Sequence, residues 1–277
     1  MLSVCGTPIG NLSDASPRLV ETLSRADAVC CEDTRVTAKL LARFGLHVPL
    51  VRCDENVLER RIPEILARLE AGERVAFVSD AGMPCISDPG QRLVDAALDA
   101  GLAVEVVPGP SAVSSALARS GLASGRFFFE GFLPRKAGPA RERLMWLRGI
   151  GATFVLFESP KRVVETLARI AEAMPERRVA LVRELTKLHE EMLRGYASEL
   201  AEMAAERGEF KGECVIVVEE GDGSKAAVAQ AGLPPLDEAI AAGLAAGESK
   251  SALAKRVSHA YGMARSDVYA RILELAE

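Results

Sequence analysis

The sequence predicts an α/β protein with two α/β domains followed by a small helical C-terminal appendage. Three observations predict it. Short β-branched runs alternate with amphipathic segments through the first half, the signature of a mostly parallel sheet with helices on its faces. A second series of apolar runs and helical segments follows, with a changed character that points to a mixed or antiparallel sheet. The remainder is Ala-rich and helical with no strand signal. The expected domains are residues 1–112, 113–222 and 223–277, with the first junction near Pro108–Ser115.

In chain order, Leu2–Cys5 and Ala28–Cys31 read as strands around a helix from Pro17 to Ser24. Glu73–Ser79 and Ala103–Val107 read as further strands, preceded by helices over Ile62–Glu70 and Gln91–Ala100. In the first of these helices Ile62, Ile65, Leu66 and Leu69 recur near helical spacing, and Pro63 is expected in the first turn, where proline is tolerated. Gly72 and Gly101 stand where helix C-terminal glycines belong. In the second half, Arg126–Phe129, Thr153–Glu158, Arg178–Arg183 and Glu213–Glu219 read as strands, and Arg141–Leu147, Arg162–Ala173 and Ala197–Glu206 as helices. Gly221–Lys225 reads as a linker. Ser249 and Ser266 are expected to cap two short helices joined near Gly262, either a helix-turn-helix-like element or a plain helical cap.

The chain of 277 residues carries 49% hydrophobic and 26% charged residues, too apolar for disorder. No run approaches the roughly 20 apolar residues that span a bilayer, and Met1–Gly10 reads as a buried first strand rather than a signal peptide. The six scattered cysteines form no CxxC pair, which suits reduced thiols in a cytoplasmic setting. The three histidines have no metal-ligand spacing, so no metal site is expected. A net charge of −5 means that any nucleic-acid partner must be held by local basic clusters.

Four loops packed with Gly, Pro, Ser and Asp follow strands: Gly6–Leu12, Ser79–Gly90, Pro108–Ala112 and Glu158–Arg162. Ligands in open α/β sheets bind beyond the carboxyl ends of strands, where glycine lets backbone approach them closely. Four such loops at strand ends point to one shared ligand site. Neither GxGxxG nor GxxxxGK[ST] occurs at a suitable place. The loops offer backbone groups and short polar side chains but little Lys or Arg, which suits a ligand with an adenosine and an amino-acid end and no polyphosphate.

An ordered motif set runs from about Leu2 to Glu220: Thr7-Pro-Ile-Gly-Asn-Leu, Glu32-Asp-Thr-Arg, Ser79-Asp-Ala-Gly-Met-Pro-Cys-Ile-Ser-Asp-Pro-Gly, Pro108-Gly-Pro-Ser-Ala, Phe129-Glu-Gly-Phe-Leu-Pro-Arg-Lys, Phe157-Glu-Ser-Pro-Lys-Arg, Arg183-Glu-Leu-Thr-Lys and Lys211-Gly-Glu. It resembles the ribosomal RNA small subunit methyltransferase I family. The resemblance implies a fold of the tetrapyrrole-methylase-like type, with S-adenosylmethionine in a cofactor cleft between two α/β domains. It further implies 2′-O-methylation of a cytidine ribose in the decoding region of 16S rRNA, and a homodimer. The chain departs from the family at Met83, where Thr is usual, and at Arg52-Cys-Asp-Glu-Asn, which replaces a His-containing segment.

By the same resemblance, the cofactor is expected at Pro8, Asp80, Gly82, Met83, Ser87, Asp88, Ser111, Ala112 and the backbone near Phe157 and Leu185. A carboxylate at a strand end, as at Asp80, can accept charge-assisted hydrogen bonds from a ribose or an ammonium group. A ribose hydroxyl needs a base within reach, and Glu32 and Glu158 are the candidates, with Arg35 to hold a phosphate or orient a carboxylate. Arg135, Lys136, Lys161, Arg162, Arg183 and Lys187 are expected to grip RNA phosphates, while Arg141, Arg143 and Arg148 equally suit a solvated helix face. Two other readings stay open: a methyltransferase of the same class acting on a porphyrin-like or modified-amino-acid substrate, and a non-catalytic RNA-binding assembly factor.

Overall fold

The computed structural model describes residues 1–221, 234–261 and 265–275, leaving most of the expected linker at Gly221–Lys225 and the turn at Gly262 outside the described residues. The chain divides into two compact units, Met1–Arg119 with Val182–Glu191, and Ser120–Leu181 with Met192–Glu277.

The first unit holds a parallel sheet of β1 (Leu2–Cys5), β2 (Ala28–Cys31), β3 (Leu50–Arg52), β4 (Val75–Val78) and β5 (Val104–Val107), in the order β3-β2-β4-β1-β5. β1, β2 and β4 are buried along their whole length, as expected of central parallel strands covered on both faces. Alternate residues serve the two layers. Leu2, Cys30, Val75 and Phe77 meet α3 (Leu58–Glu70) and α4 (Gln91–Asp99) through Ile65, Leu69, Leu93 and Ala97. Cys5, Val29, Cys31, Ala76 and Val78 meet α1 (Pro17–Ser24) and α2 (Thr34–Arg43) through Leu19, Leu23, Leu40 and Leu41. Each fully buried Leu or Phe contributes on the order of 1.5–3 kcal/mol. Because β1 leads to α1 on one face and β4 to α4 on the other, their loops part at a topological switch point, the usual crevice for a ligand.

Two local differences from the sequence reading have clear causes. The helix expected over Ile62–Glu70 begins at Leu58, so Pro63 lies beyond the first turn. Asp54 seeds the extra turn: its backbone carbonyl accepts from the amides of Val57 and Leu58, and its carboxylate from that of Asn56. Buried Leu58 then anchors the turn in the core. α2 starts at Thr34 because the Asp33 carboxylate caps it, accepting from the Arg35 amide at 2.8 Å. Gly72 and Gly101 do follow helices in the left-handed conformation, with φ of 88° and 68°.

The second unit carries a mixed sheet in the order β6-β7-β10-β8-β9: β6 (Phe127–Phe132), β7 (Thr153–Glu158), β8 (Arg178–Arg183), β9 (Glu191–Tyr196) and β10 (Cys214–Val218). β6 runs parallel to β7 and β10 antiparallel to it. One face packs Phe154, Leu156, Leu181, Ile216 and Val218 against α6 (Ala137–Gly149), α7 (Val163–Ala173) and α8 (Ala197–Arg207). Beyond the sheet, α9 (Leu236–Ala245), α10 (Lys250–Tyr261) and α11 (Arg265–Leu275) enclose their own small core of Ile240, Leu253, Val257, Val268 and Ile272. Ser249 caps α10, its hydroxyl accepting from the Ala252 amide. Ser266 lies inside the first turn of α11 instead of at its cap.

Candidate active site

Within the first unit the strand-end loops close on one another. Thr7 and Gly82, from the loops after β1 and β4, exchange two backbone hydrogen bonds of 2.8 and 3.1 Å. Gly6 and Gly109 lie backbone against backbone: a Cβ on Gly6 would sit 2.7 Å from the Gly109 nitrogen, and one on Gly109 only 2.6 Å from the Gly6 carbonyl oxygen. No side chain can stand between them. The segment after β8 joins the same crest, since a Cβ on Gly10 would meet Lys187, Thr186 and the Leu185 carbonyl. Among the described residues four non-glycine positions take left-handed backbone, and they lie in these loops: Cys85, Ser87, Glu184 and Thr186, with φ between 52° and 69°. Such conformations cost roughly 1–3 kcal/mol each and gather at ligand sites.

The crest brings together Pro8, Asp80, Gly82, Met83 and, at the start of α5 (Ala112–Ser120), Ser111 and Ala112. Pro8, Gly82 and Leu185 are buried, Met83, Asp88, Ser111 and Ala112 half-buried, Asp80 and Ser87 exposed. The Met83 sulfur packs where a Cβ of Gly6 would fall, so this side chain closes the floor of the loop. Asp80 accepts a 3.0 Å hydrogen bond from the Asp33 amide, which ties the loop after β4 to the start of α2. Among the described residues no group of three or more His, Cys, Asp or Glu is placed to hold a metal ion.

The electrostatics of the crest are acidic. Burial, with the fields of Asp80, Asp88, Asp54 and Asp33, raises the Glu32 carboxyl above its ordinary range. Partial desolvation raises Asp80, exposed as the residue is overall, and burial raises Asp88, although the Asp33 amide and the Ser79 hydroxyl respectively donate to them. Asp33 behaves oppositely: bidentate hydrogen bonds from Arg35, at 3.0 and 2.6 Å, hold it at about 2. Arg35 is thus committed to orienting the carboxylate that caps α2. The raised carboxylates suit a cationic ligand, and the close approach of Gly6 and Gly109 lets backbone rather than side chains line that part of the crest.

Glu158 is placed differently. Its side chain is 1% exposed, accepts from the Thr166 hydroxyl at 2.7 Å and from the Ser159 amide at 2.8 Å, and lies 3.4 Å from Arg162. Arg162 in turn donates to the carbonyls of Leu133 and Pro134. Glu158 and Arg162 therefore brace the turn after β6. Arg183 pairs with Glu191 at 2.9 Å and Lys187 with Glu184 at 2.8 Å. Arg135, Lys136 and Lys161 are exposed and have no carboxylate partner among the described residues. Arg143, from the same basic stretch, is held by Glu130 and stacks 4.0 Å from the centroid of Trp146. Missed by the sequence reading were the capping role of Asp33, whose position just before Thr34 could have shown it, and the aromatic contacts of β6, for which no local signal exists.

The family signature of Tetrapyrrole (Corrin/Porphyrin) Methylases matches residues 1–201. A ribosomal RNA small subunit methyltransferase I of Mesorhizobium japonicum is 42% identical over the whole chain and 92% of its own length. That of Thermotoga maritima is 48% identical over 72% of this chain and 89% of its own. Among solved structures, the cobalamin biosynthetic enzyme cobalt precorrin-4 methyltransferase superposes with a TM-score of 0.61 at 21% identity, over 79% of this chain and 94% of that one, a likeness of fold. The chain is therefore a methyltransferase that belongs to the tetrapyrrole (corrin/porphyrin) methylase family and, within it, to the ribosomal RNA small subunit methyltransferase I family.

Proposed function

We propose that the protein transfers a methyl group from S-adenosylmethionine to the ribose 2′-hydroxyl of a cytidine in the decoding region of 16S rRNA. The observation that carries this reading is the near full-length similarity to relatives named as ribosomal RNA small subunit methyltransferase I, joined to the motif set that suggested the nucleotide.

The crest fits the donor chemically. When bound, S-adenosylmethionine supplies an electrophilic methyl on a sulfonium centre and carries an ammonium group as a second positive charge. Asp80, with Asp88 beside it in the same loop, offers carboxylates to that charge and to ribose hydroxyls. Pro8, Gly82, Met83, Ser87, Ser111, Ala112 and Leu185 supply close backbone and side chains around it. Glu32 is the better candidate to take the proton from the attacking hydroxyl, because it is half-buried, raised above its ordinary range and not locked by a donor in the manner of Glu158. Arg35 positions the capping carboxylate, and Arg135, Lys136 and Lys161 supply charge for RNA phosphates, with Arg162, Arg183 and Lys187 bracing loops.

On this reading the protein works as a cytoplasmic homodimer on the small ribosomal subunit, with residues 1–112, 113–222 and 223–277 as its domains. No helix of the described residues is long and apolar enough to cross a membrane. The test is mass-spectrometric mapping of ribose methylation in rRNA from cells with and without the gene. Loss of one 2′-O-methylcytidine from 16S rRNA is expected; an unchanged map refutes the reading.

A further inference from the structure

β6 is an edge strand with the sequence Phe-Phe-Phe-Glu-Gly-Phe. In regular alternation Phe129 and Phe132 would face opposite sides of the sheet. A β-bulge between Phe129 and Gly131 inserts one residue, so that Phe129 pairs with Val155 and Phe132 with Phe157. Both rings therefore lie on one side, edge-to-face with Phe157, at centroid distances of 4.8 and 5.9 Å. Bulges re-aim side chains in this way. The outcome is unusual for an apolar ring: Phe132 rests on Phe157 yet stays 55% exposed.

The chain leaving the ledge is braced and then turns basic. Arg162 holds the carbonyls of Leu133 and Pro134, and buried Glu158 lies beside Arg162. Directly after that braced turn come Arg135 and Lys136, and Lys161 precedes Arg162; all three are exposed without a carboxylate partner among the described residues. An open aromatic face bordered by unpaired cations has the chemistry of a site for an unpaired nucleotide. The ring stacks on the base whatever its identity, and the cations meet the flanking phosphates. In a chain of net charge −5 such a local combination is needed to hold RNA at all.

We infer that Phe132, supported by Phe129 and Phe157 and followed closely by Arg135 and Lys136, with Lys161 beside the brace at Arg162, is a stacking ledge for an unpaired base of the RNA substrate. This deepens the rRNA reading and rests on it.

The test uses the full-length protein and small ribosomal subunits from a strain lacking the gene. Phe132→Ala is expected to raise KM for subunits about ten-fold, the scale of one base–aromatic stack, while S-adenosylmethionine affinity and melting temperature stay at the native values. Phe132→Tyr is expected to restore KM. An unchanged KM for Phe132→Ala overturns the ledge, and so does a shift of that variant from dimer to monomer in light scattering, which assigns the surface to a second copy. A second arm is independent of turnover: Phe132→Trp combined with Trp146→Phe leaves one indole on the ledge, whose fluorescence a short single-stranded RNA should quench. Absence of quenching overturns the ledge by itself. Failure of the native protein to methylate subunits refutes the rRNA reading instead, and the quenching arm still decides the ledge.

Discussion

The strand ends of the two units are built on opposite plans. In the first, glycines press backbone against backbone, and Glu32, Asp80 and Asp88 stand partly desolvated with no salt-bridge partner among the described residues. In the second, the end of β7 is closed on itself: the Glu158 carboxylate accepts from the Thr166 hydroxyl and the Ser159 amide and pairs with Arg162. Two glutamates that end strands in similar loops thus have different work. The first plan leaves polar groups unpaired for a ligand to complete; the second spends them on stability.

The contrast can be broken by exchanging the effects of the two glutamates. Glu32→Gln is expected to lower kcat by about 10²–10⁴, the range for loss of a general base, with little change in melting temperature. Glu158→Ala should do the reverse: stability falls by about 3–5 kcal/mol, because Arg162 and two further donors lose a buried acceptor, while kcat per folded molecule is retained. Denaturant unfolding paired with single-turnover methyl transfer checks both, and the opposite pattern would exchange the roles.

Gly109→Ala sharpens the first plan alone. Its Cβ would meet the Gly6 backbone, which has no flexible side chain to give way, so a loss of about 1–3 kcal/mol is expected. Calorimetric titration should show cofactor affinity falling further than stability.

A smaller effect is expected from pH. Glu32, Asp80 and Asp88 are raised in the folded protein. Their protonation therefore stabilises the free protein at acid pH, a contribution lost as pH rises through the raised values. A cationic donor prefers the ionised carboxylates, so its affinity should fall on acidification from pH 7 to 5, by at most about ten-fold per pH unit for each proton displaced. Stability of the free protein and cofactor affinity should move in opposite directions; a flat titration would separate these carboxylates from the donor. Arg35→Ala should change least, because its exposed pair with Asp33 is screened by solvent, and thermal melts should overlay.

Much of the first sheet was legible because central parallel strands are continuous apolar runs and its helices carry wide apolar stripes. β3 escaped notice: two half-buried residues and an exposed Arg52 give neither a run nor an alternation. α2 was hidden because its cap falls within a motif that reads as a functional loop. The strand-end position of Glu158 was legible, but Thr166 becomes its partner only when α7 forms. Arg183 and Lys187 looked like free cations because Glu191 and Glu184 are brought to them by a reversing loop. The bulge in β6, which decides where Phe132 faces, has no signal beyond a glycine in a strand.

The first unit includes Val182–Glu191, which the ribosome delivers long after β5. Its crest therefore cannot be finished while the rest of the unit emerges. During synthesis, the loop at Gly10 waits for Leu185, Thr186 and Lys187, and Arg119 waits for Glu190. A nascent chain stalled after Arg119 should carry the parallel sheet yet have an incomplete donor site, so that cofactor capture becomes a report that translation has passed the second unit's third strand.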